Sequence, residues 1–149
     1  MELQIHSDEY YMKQALYEAE LALEEKEIPV GAVIVCENKI IAKAHNQTER
    51  LQDITAHAEM LAITSAQNYL GSKYLNECSL FVSLEPCNMC GGALYWSQIG
   101  RVVFAASDEK RGYSQTSKKI IHPKTKVESG LMASHAEILI EEFFKKMRE

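Results

Sequence analysis

The stretch SLFVSLEPCNMCGGALYWSQIGRVVFAA, residues 79–106, decides the fold. Its apolar ends, 79–84 and 101–106, have the length of buried strands, and Pro86 ends the first of them. The residues between, about 87–98, suit a helix that a glycine terminates. Because two strands joined by one helix should pair in parallel through a right-handed crossover, this stretch predicts a layered α/β domain.

The rest of the chain adds further strands and helices around that unit. We predict helices over about 7–25, 55–69 and 134–147, and strands over 28–36, 40–45 and around 125–129. The first two of these strands form a hairpin around the tight connection ENK. No repeat, linker or low-complexity tract divides the sequence, so we expect a single domain over residues 1–149.

The composition is that of an ordinary globular protein, with 149 residues, 46% hydrophobic and 25% charged. No run approaches the roughly eighteen apolar residues of a membrane span. The N-terminus MELQIHSDEYYMKQ lacks the basic and apolar regions of a signal peptide. We therefore expect a cytoplasmic protein.

Charge is unevenly distributed along the chain. The net charge of −5 argues against gross non-specific binding to nucleic acid. Residues 110–126, however, carry six Lys or Arg side chains and no acidic one, and we name them the basic segment. Such a segment could contact phosphates, or it could be a solvated loop.

Cys87 and Cys90, in EPCNMC, are the strongest indication of a metal site. At a helix start, residues three apart lie on one face, with Cβ atoms about 5–6 Å apart. The free N–H groups and the helix dipole there favour the thiolate, which is the form that binds metal. A redox-active pair and a structural zinc site with a fourth ligand are the alternatives. Cys36 and Cys78 lie in apolar strands and look like core residues.

The tripeptide HAE at residues 57–59 could complete that site. In a regular helix, residues two apart point about 200° apart, so His57 and Glu59 cannot both be metal ligands. We therefore assign His57 to the metal and Glu59 to proton transfer beside it. Two thiolates and one imidazole leave one tetrahedral position open, which is typical of catalytic rather than structural zinc.

A second HAE occurs at residues 135–137. Ser134 and Glu137 have the spacing of a capping box ahead of the apolar run ILIEEFF. No cysteine pair follows this copy. It is therefore predicted to start a helix and to take no part in chemistry.

His-x-Glu followed about thirty residues later by Pro-Cys-x-x-Cys is the signature of zinc deaminases. The stretches PVGAVIV, AHNQTERLQDITAHAEMLAI and LFVSLEPCNMCGGALYWSQIGRVVFAASDEKRG resemble the cytidine deaminase-like zinc deaminase superfamily. Within it, they are most similar to the bacterial tRNA-specific adenosine deaminases (TadA type). The resemblance covers residues 7–112 well and the C-terminal third more loosely.

The resemblance implies a three-layer α/β/α cytidine deaminase-like fold with a central five-stranded mixed sheet, usually as a homodimer. It implies one zinc ion per chain on His57, Cys87 and Cys90, with Glu59 as the proton shuttle. Asn46 matches the asparagine that hydrogen-bonds the target base. The implied reaction is hydrolytic conversion of adenosine to inosine at the wobble position of a tRNA anticodon, with the base extruded into the pocket.

An RNA partner would contact the basic segment. The residues predicted to do so are cations that could hold phosphates and one aromatic ring that could stack on a base: Lys110, Arg111, Tyr113, Lys118 and Lys119. Two other functions stay open from the sequence. One is a deaminase of free bases or nucleosides of the guanine or cytosine type, and the other is a non-catalytic zinc-binding partner subunit.

Overall fold

The computed structural model describes residues 6–116 and 118–148. Within these residues the chain forms four α-helices and five strands, in the order α1 (Asp8–Glu24), β1 (Gly31–Cys36), β2 (Lys39–His45), α2 (Ala58–Leu70), β3 (Cys78–Leu84), α3 (Asn88–Ser97), β4 (Arg101–Ala106), β5 (Lys126–Ser129) and α4 (Ala133–Met147). A short 3-10 helix, Tyr113–Gln115, lies in the loop between β4 and β5. None of the described helices has the length and apolarity that crossing a membrane requires.

The five strands form one mixed sheet in the order β2-β1-β3-β4-β5. β1 runs antiparallel to both of its neighbours, whereas β3, β4 and β5 run parallel. The predicted parallel pairing across a helix is confirmed for β3 and β4, which flank α3. It is wrong for β2 and β3, which flank α2, because β1 lies between them. β1 is buried almost throughout, while β2 exposes Lys39 and Lys43, so the apolar strand takes the interior place and the charged one the edge.

Helices cover both faces of the sheet and give the predicted three layers. On one face α1 and α4 pack against the strands around Tyr11, Met12, Ala15, Leu16, Ala19, Val33, Phe81, Val103, Ala136 and Leu139. On the other face α2 and α3 pack around Ile34, Ala58, Ala62, Ile63, Ala66, Leu80, Val82, Leu94, Val102 and Phe104. Successive strand residues point to opposite faces, so β3 contributes to both cores. The predicted α/β/α fold class is confirmed.

The start of α4 differs from the prediction. The prediction that Ser134 and Glu137 form a capping box is wrong, because the helix begins at Ala133 and has no side-chain cap. The residue before it, Met132, has a left-handed backbone with φ of 60°. Leu131 and Met132 pack against the α1/α4 core. That packing fixes where the helix starts, and Ser134 falls inside the first turn.

Gly31 allows β1 to approach α1 closely. A Cβ atom at this position would overlap the carbonyl oxygen of Ala15 and the amide nitrogen of Ala19, both in the backbone of α1. Because a helix backbone cannot move aside as a flexible side chain can, we expect Gly31→Ala to lower the free energy of unfolding by about 1–3 kcal/mol, measured by urea denaturation. Gly92→Ala is the matched control, since a Cβ atom there would meet nothing within 4 Å. Equal destabilisation by the two changes would contradict this account.

Candidate metal centre

The carboxyl ends of β2, β3 and β4 lie at the same edge of the sheet, because these strands point in the same direction. There the chain leaves β2 into Asn46 and leaves β3 into the Glu85–Cys87 turn. His57 and Cys87 are the N-cap residues of α2 and α3, both with extended backbone. The first HAE and EPCNMC therefore lie at the same edge of the sheet.

The side chains of His57, Cys87 and Cys90 converge. His57 Nδ1 lies 3.6 Å from Cys87 Sγ and 3.5 Å from Cys90 Sγ. Tetrahedral zinc has Zn–S distances of about 2.3 Å and Zn–N distances of about 2.0–2.1 Å, which separate an N and an S ligand by about 3.5–3.6 Å. The three groups thus fit zinc both in chemistry and in spacing. Among the described residues this cluster has three members, the number typical of catalytic rather than structural zinc.

The three groups hold one another in unequal protonation states. The hydrogen bond from Cys90, together with that from His57, lowers the pKa of Cys87 to about 4. The same Cys87–Cys90 hydrogen bond, with burial, raises the pKa of Cys90 far above its usual range. The hydrogen bond to Cys87 raises the pKa of His57. Cys87 is therefore the more readily ionised ligand, and a divalent cation between the two sulfurs would favour ionisation of both.

Glu59 is buried beside these residues and lacks a partner for one of its oxygens. The side chain is 4% exposed, and Oε1 has no hydrogen-bond partner among the described residues. Burial raises the pKa of this carboxyl to about 7. An unpaired buried carboxylate oxygen destabilises the fold. The unpaired Oε1 therefore indicates that its hydrogen-bond partner is a bound ligand or a reacting molecule.

Asn46 presents a second unpaired oxygen at this edge. Its side-chain Nδ2 donates to the Ile28 carbonyl oxygen at 3.3 Å, which fixes the orientation of the amide. The opposite atom, Oδ1, is buried and has no hydrogen-bond partner among the described residues. Unpaired acceptors on Asn46 and Glu59 would be satisfied by a polar ligand that carries hydrogen-bond donors.

The second HAE lies in α4, on the face of the sheet opposite α2 and α3. His135 is exposed there, and its Nε2 lies 3.6 Å from Glu20 Oε1 of α1. The structure therefore separates this copy from the cluster of His57, Cys87 and Cys90.

The described residues of the basic segment lie in the loop between β4 and β5, except Lys126, which begins β5. The predicted RNA-contacting cations of the segment are all exposed: Lys110, Arg111, Lys118 and Lys119. Tyr113 is half-buried, and its ring meets that of Phe104 edge-on with centroids 6.4 Å apart, so this ring contributes to packing. Its backbone N–H donates to the Pro86 carbonyl oxygen at 2.9 Å. The start of the basic segment is thus held against the turn that carries Cys87.

Sequence reasoning missed two buried carboxylates beside the site, Glu27 and Glu85. Glu85 accepts hydrogen bonds from the backbone N–H of Asp108 at 3.0 Å and from the N–H and hydroxyl of Ser114 at 3.0 and 2.6 Å. Glu27 holds the backbone of the loop after Asn46 in a similar way. In both cases the glutamate stands near a proline at one end of an apolar strand, and that position is the signal by which sequence reasoning could have found them.

Known proteins share both the sequence pattern and the fold. Residues 5–106 match the cytidine and deoxycytidylate deaminase zinc-binding region. The chain is 48% identical to the tRNA-specific adenosine deaminase of Aquifex aeolicus (strain VF5), over 94% of this chain and 95% of that one. A solved structure from biochemical and structural studies of A-to-I editing by tRNA:A34 deaminases at the wobble position of transfer RNA has a TM-score of 0.82 and 38% identity, over 87% of this chain and 98% of that one.

A shorter match is to the guanine deaminase of Bacillus subtilis, with a TM-score of 0.66 and 40% identity over 68% of this chain and 66% of that one. All of these proteins are deaminases, and the cluster of His57, Cys87 and Cys90 lies within the matched zinc-binding region. The chain therefore belongs to the cytidine and deoxycytidylate deaminase family of zinc-binding enzymes.

Proposed function

We propose that this chain is a zinc-dependent hydrolytic deaminase that converts adenosine to inosine at the wobble position of a tRNA anticodon. The observation that carries the proposal is the 48% identity to a tRNA-specific adenosine deaminase along 94% of this chain and 95% of the relative. The guanine deaminase of Bacillus subtilis matches only 68% of the chain, and that of Nitrosomonas europaea is only 25% identical over 95% of it. The tRNA-specific relatives thus account for more of the sequence.

The site contains the groups that hydrolytic deamination needs. Zinc held by His57, Cys87 and Cys90 would supply Lewis-acid activation of water at neutral pH. Glu59 takes one proton from the attacking water at its unpaired Oε1 and delivers it to a ring nitrogen. It then takes the remaining proton of that water, now a hydroxyl on the base, and delivers it to the leaving amine. The amine departs as ammonia and a carbonyl replaces it on the base. Asn46 orients that base by accepting a hydrogen bond at Oδ1.

Formation of inosine tests this proposal. Zinc-loaded protein is incubated with an anticodon stem-loop that bears a wobble adenosine, and the nucleosides are separated after digestion. We expect inosine, and its absence would overturn the proposal. Parallel assays of ammonia release from guanine, cytosine, cytidine and free adenosine test the second candidate, a deaminase of free bases or nucleosides, which the guanine deaminase match favours.

We also propose that the basic segment contacts RNA phosphates. The double variant Lys118→Ala with Lys119→Ala should lower kcat/KM for the stem-loop at low salt and leave kcat at saturating RNA unchanged. The slope of log(kcat/KM) against log[salt] should become shallower by about 0.7 for each phosphate that the variant no longer neutralises. Lys145→Ala with Lys146→Ala removes equal charge from exposed positions of α4 and is the control. Equal salt responses of the two double variants would contradict a direct interaction between the basic segment and RNA.

A homodimer, a single domain over residues 1–149 and a cytoplasmic location complete the proposal. Exposed apolar side chains lie in the loop before α2 and along α3, next to the site: Leu51, Ile54, Met89 and Trp96. Contact with a second copy of the chain would remove such side chains from water. If the protein is a homodimer, light scattering should give twice the mass of the chain. If it is a single domain, thermal unfolding should show one cooperative transition. The cytoplasm would keep the Cys87 and Cys90 thiols reduced for metal binding.

A further inference from the structure

A buried carboxylate lies behind the loop that follows Asn46 and has no part in the chemistry proposed above. Glu27 is 1% exposed. Among the described residues it forms no ion pair with a lysine, arginine or histidine. Its Oε1 instead accepts the backbone N–H of Glu49 at 3.0 Å, and its Oε2 accepts that of Arg50 at 2.8 Å. A carboxylate without a cation is tolerated in a protein interior only where such charge-assisted hydrogen bonds compensate its desolvation.

The residues that follow Glu27 hold Asn46 itself. The Val30 carbonyl oxygen accepts the backbone N–H of Asn46 at 3.0 Å. The Ile28 carbonyl oxygen accepts the side-chain Nδ2 of Asn46 at 3.3 Å. One four-residue segment, 27–30, therefore holds the loop at its first residue and again three and four residues later. The intervening Pro29 fixes the backbone of the segment at φ near −65°.

The loop between these points is short and internally bonded. Gln47 N–H donates to the Ala56 carbonyl oxygen and Leu51 N–H to the Gln47 carbonyl oxygen, both at 3.0 Å. A shift at residues 49–50 is therefore transmitted to Asn46, whose Oδ1 has no hydrogen-bond partner of its own among the described residues. The direction of that oxygen depends on the Nδ2 bond to Ile28 and on the course of the loop backbone, and Glu27 holds that loop at residues 49 and 50.

We propose that Glu27 is a positioning residue, which acts through the loop 46–50 to hold Asn46 Oδ1 toward the target base. This inference rests on the proposed deaminase function. Glu27→Gln keeps the size of the side chain but turns an NH₂ group toward a backbone N–H donor. Because the variant cannot form one of the two hydrogen bonds to a charged oxygen, kcat/KM for the anticodon stem-loop should fall at least about tenfold, with zinc content unchanged.

A double-mutant cycle separates positioning from a general structural role. In an Asn46→Ala background, Glu27→Gln should lower kcat/KM by less than about twofold, because its effect passes through Asn46. A full additional loss in that background would overturn the proposal. Glu24→Gln is the matched control: it removes the same charge from an exposed position at the end of α1, and it should retain wild-type kcat/KM.

Amide hydrogen exchange tests the same inference without any activity. In Glu27→Gln the amides of Glu49 and Arg50 should exchange faster, while those of β3 keep their protection. If the wild type forms no inosine, the proposed function fails by itself, and unchanged exchange at Glu49 and Arg50 would separately overturn the role of Glu27. Should Glu27→Gln not fold, Glu27→Asp keeps the charge with a shorter reach. Wild-type exchange and wild-type kcat/KM in that variant would also overturn the proposal.

Discussion

Glu59→Ala is expected to lower kcat by about 10²–10⁴-fold or more while the protein keeps about one zinc ion per chain. The reason is the position of its carboxyl: Oε1 is buried and unpaired beside the metal cluster, but Glu59 does not belong to the group of His57, Cys87 and Cys90 whose ligand atoms lie within 4.8 Å of one another. Single-turnover kinetics on the stem-loop and elemental analysis of the same preparation measure both quantities.

Two further variants make the Glu59 result specific. Glu59→Gln preserves the shape of the side chain but cannot accept and release a proton, so it should lose as much activity as the alanine variant. It should also unfold at a higher temperature, because an amide is less costly to bury than a carboxylate. Glu137→Ala changes the glutamate of the second HAE, which is exposed on α4, and should leave activity unchanged. Loss of zinc from Glu59→Ala would instead identify Glu59 as a ligand.

The elements of residues 79–106 could be predicted closely, although α3 ends at Ser97, capped by Gln98 in a left-handed backbone and not by the predicted glycine. Pro86 prevents β3 from continuing. The apolar runs 79–84 and 101–106 are six residues long, which is the length of a buried strand. The order of the strands could not be predicted, since the place of β1 between β2 and β3 depends on which strand can be buried on both sides. That property emerges only when the whole sheet assembles.

At the site, too, features set by the local sequence could be predicted and features set by distant residues could not. The metal cluster was predictable because Cys87 and Cys90 lie one helical turn apart at a helix start, where thiolates are favoured and can bind a metal ion. Glu27 and Glu85 were not, because a glutamate is buried only if backbone donors arrive from elsewhere, here from residues 22 to 29 positions further along the chain. The capping box failed for a related reason: Ser134 has the right spacing, but packing of Leu131 and Met132 decides where α4 begins.

Cys90→Ser is expected to abolish zinc binding and turnover together. Cys90 Sγ lies 3.5 Å from His57 Nδ1, and the residue is fully buried in the first turn of α3. A serine hydroxyl does not ionise near neutral pH and is a harder ligand than a thiolate, so two of the three soft or borderline ligands would remain. Elemental analysis and the stem-loop assay measure the loss.

Zinc-dependent stability distinguishes loss of the metal from simple misfolding. A ligand that binds only the folded state at about 1,000 times its Kd stabilises it by about 4 kcal/mol. The wild type should therefore unfold at a higher temperature when zinc is added and at a lower one with a chelator, whereas Cys90→Ser should respond to neither. Cys36→Ser is the control, because Cys36 is a free, partly buried cysteine in β1 outside the metal cluster. It should keep both the zinc response and the activity. If Cys90→Ser kept its zinc and its turnover, the cluster would not be the metal site, and a redox role for the Cys-x-x-Cys pair would have to be reconsidered.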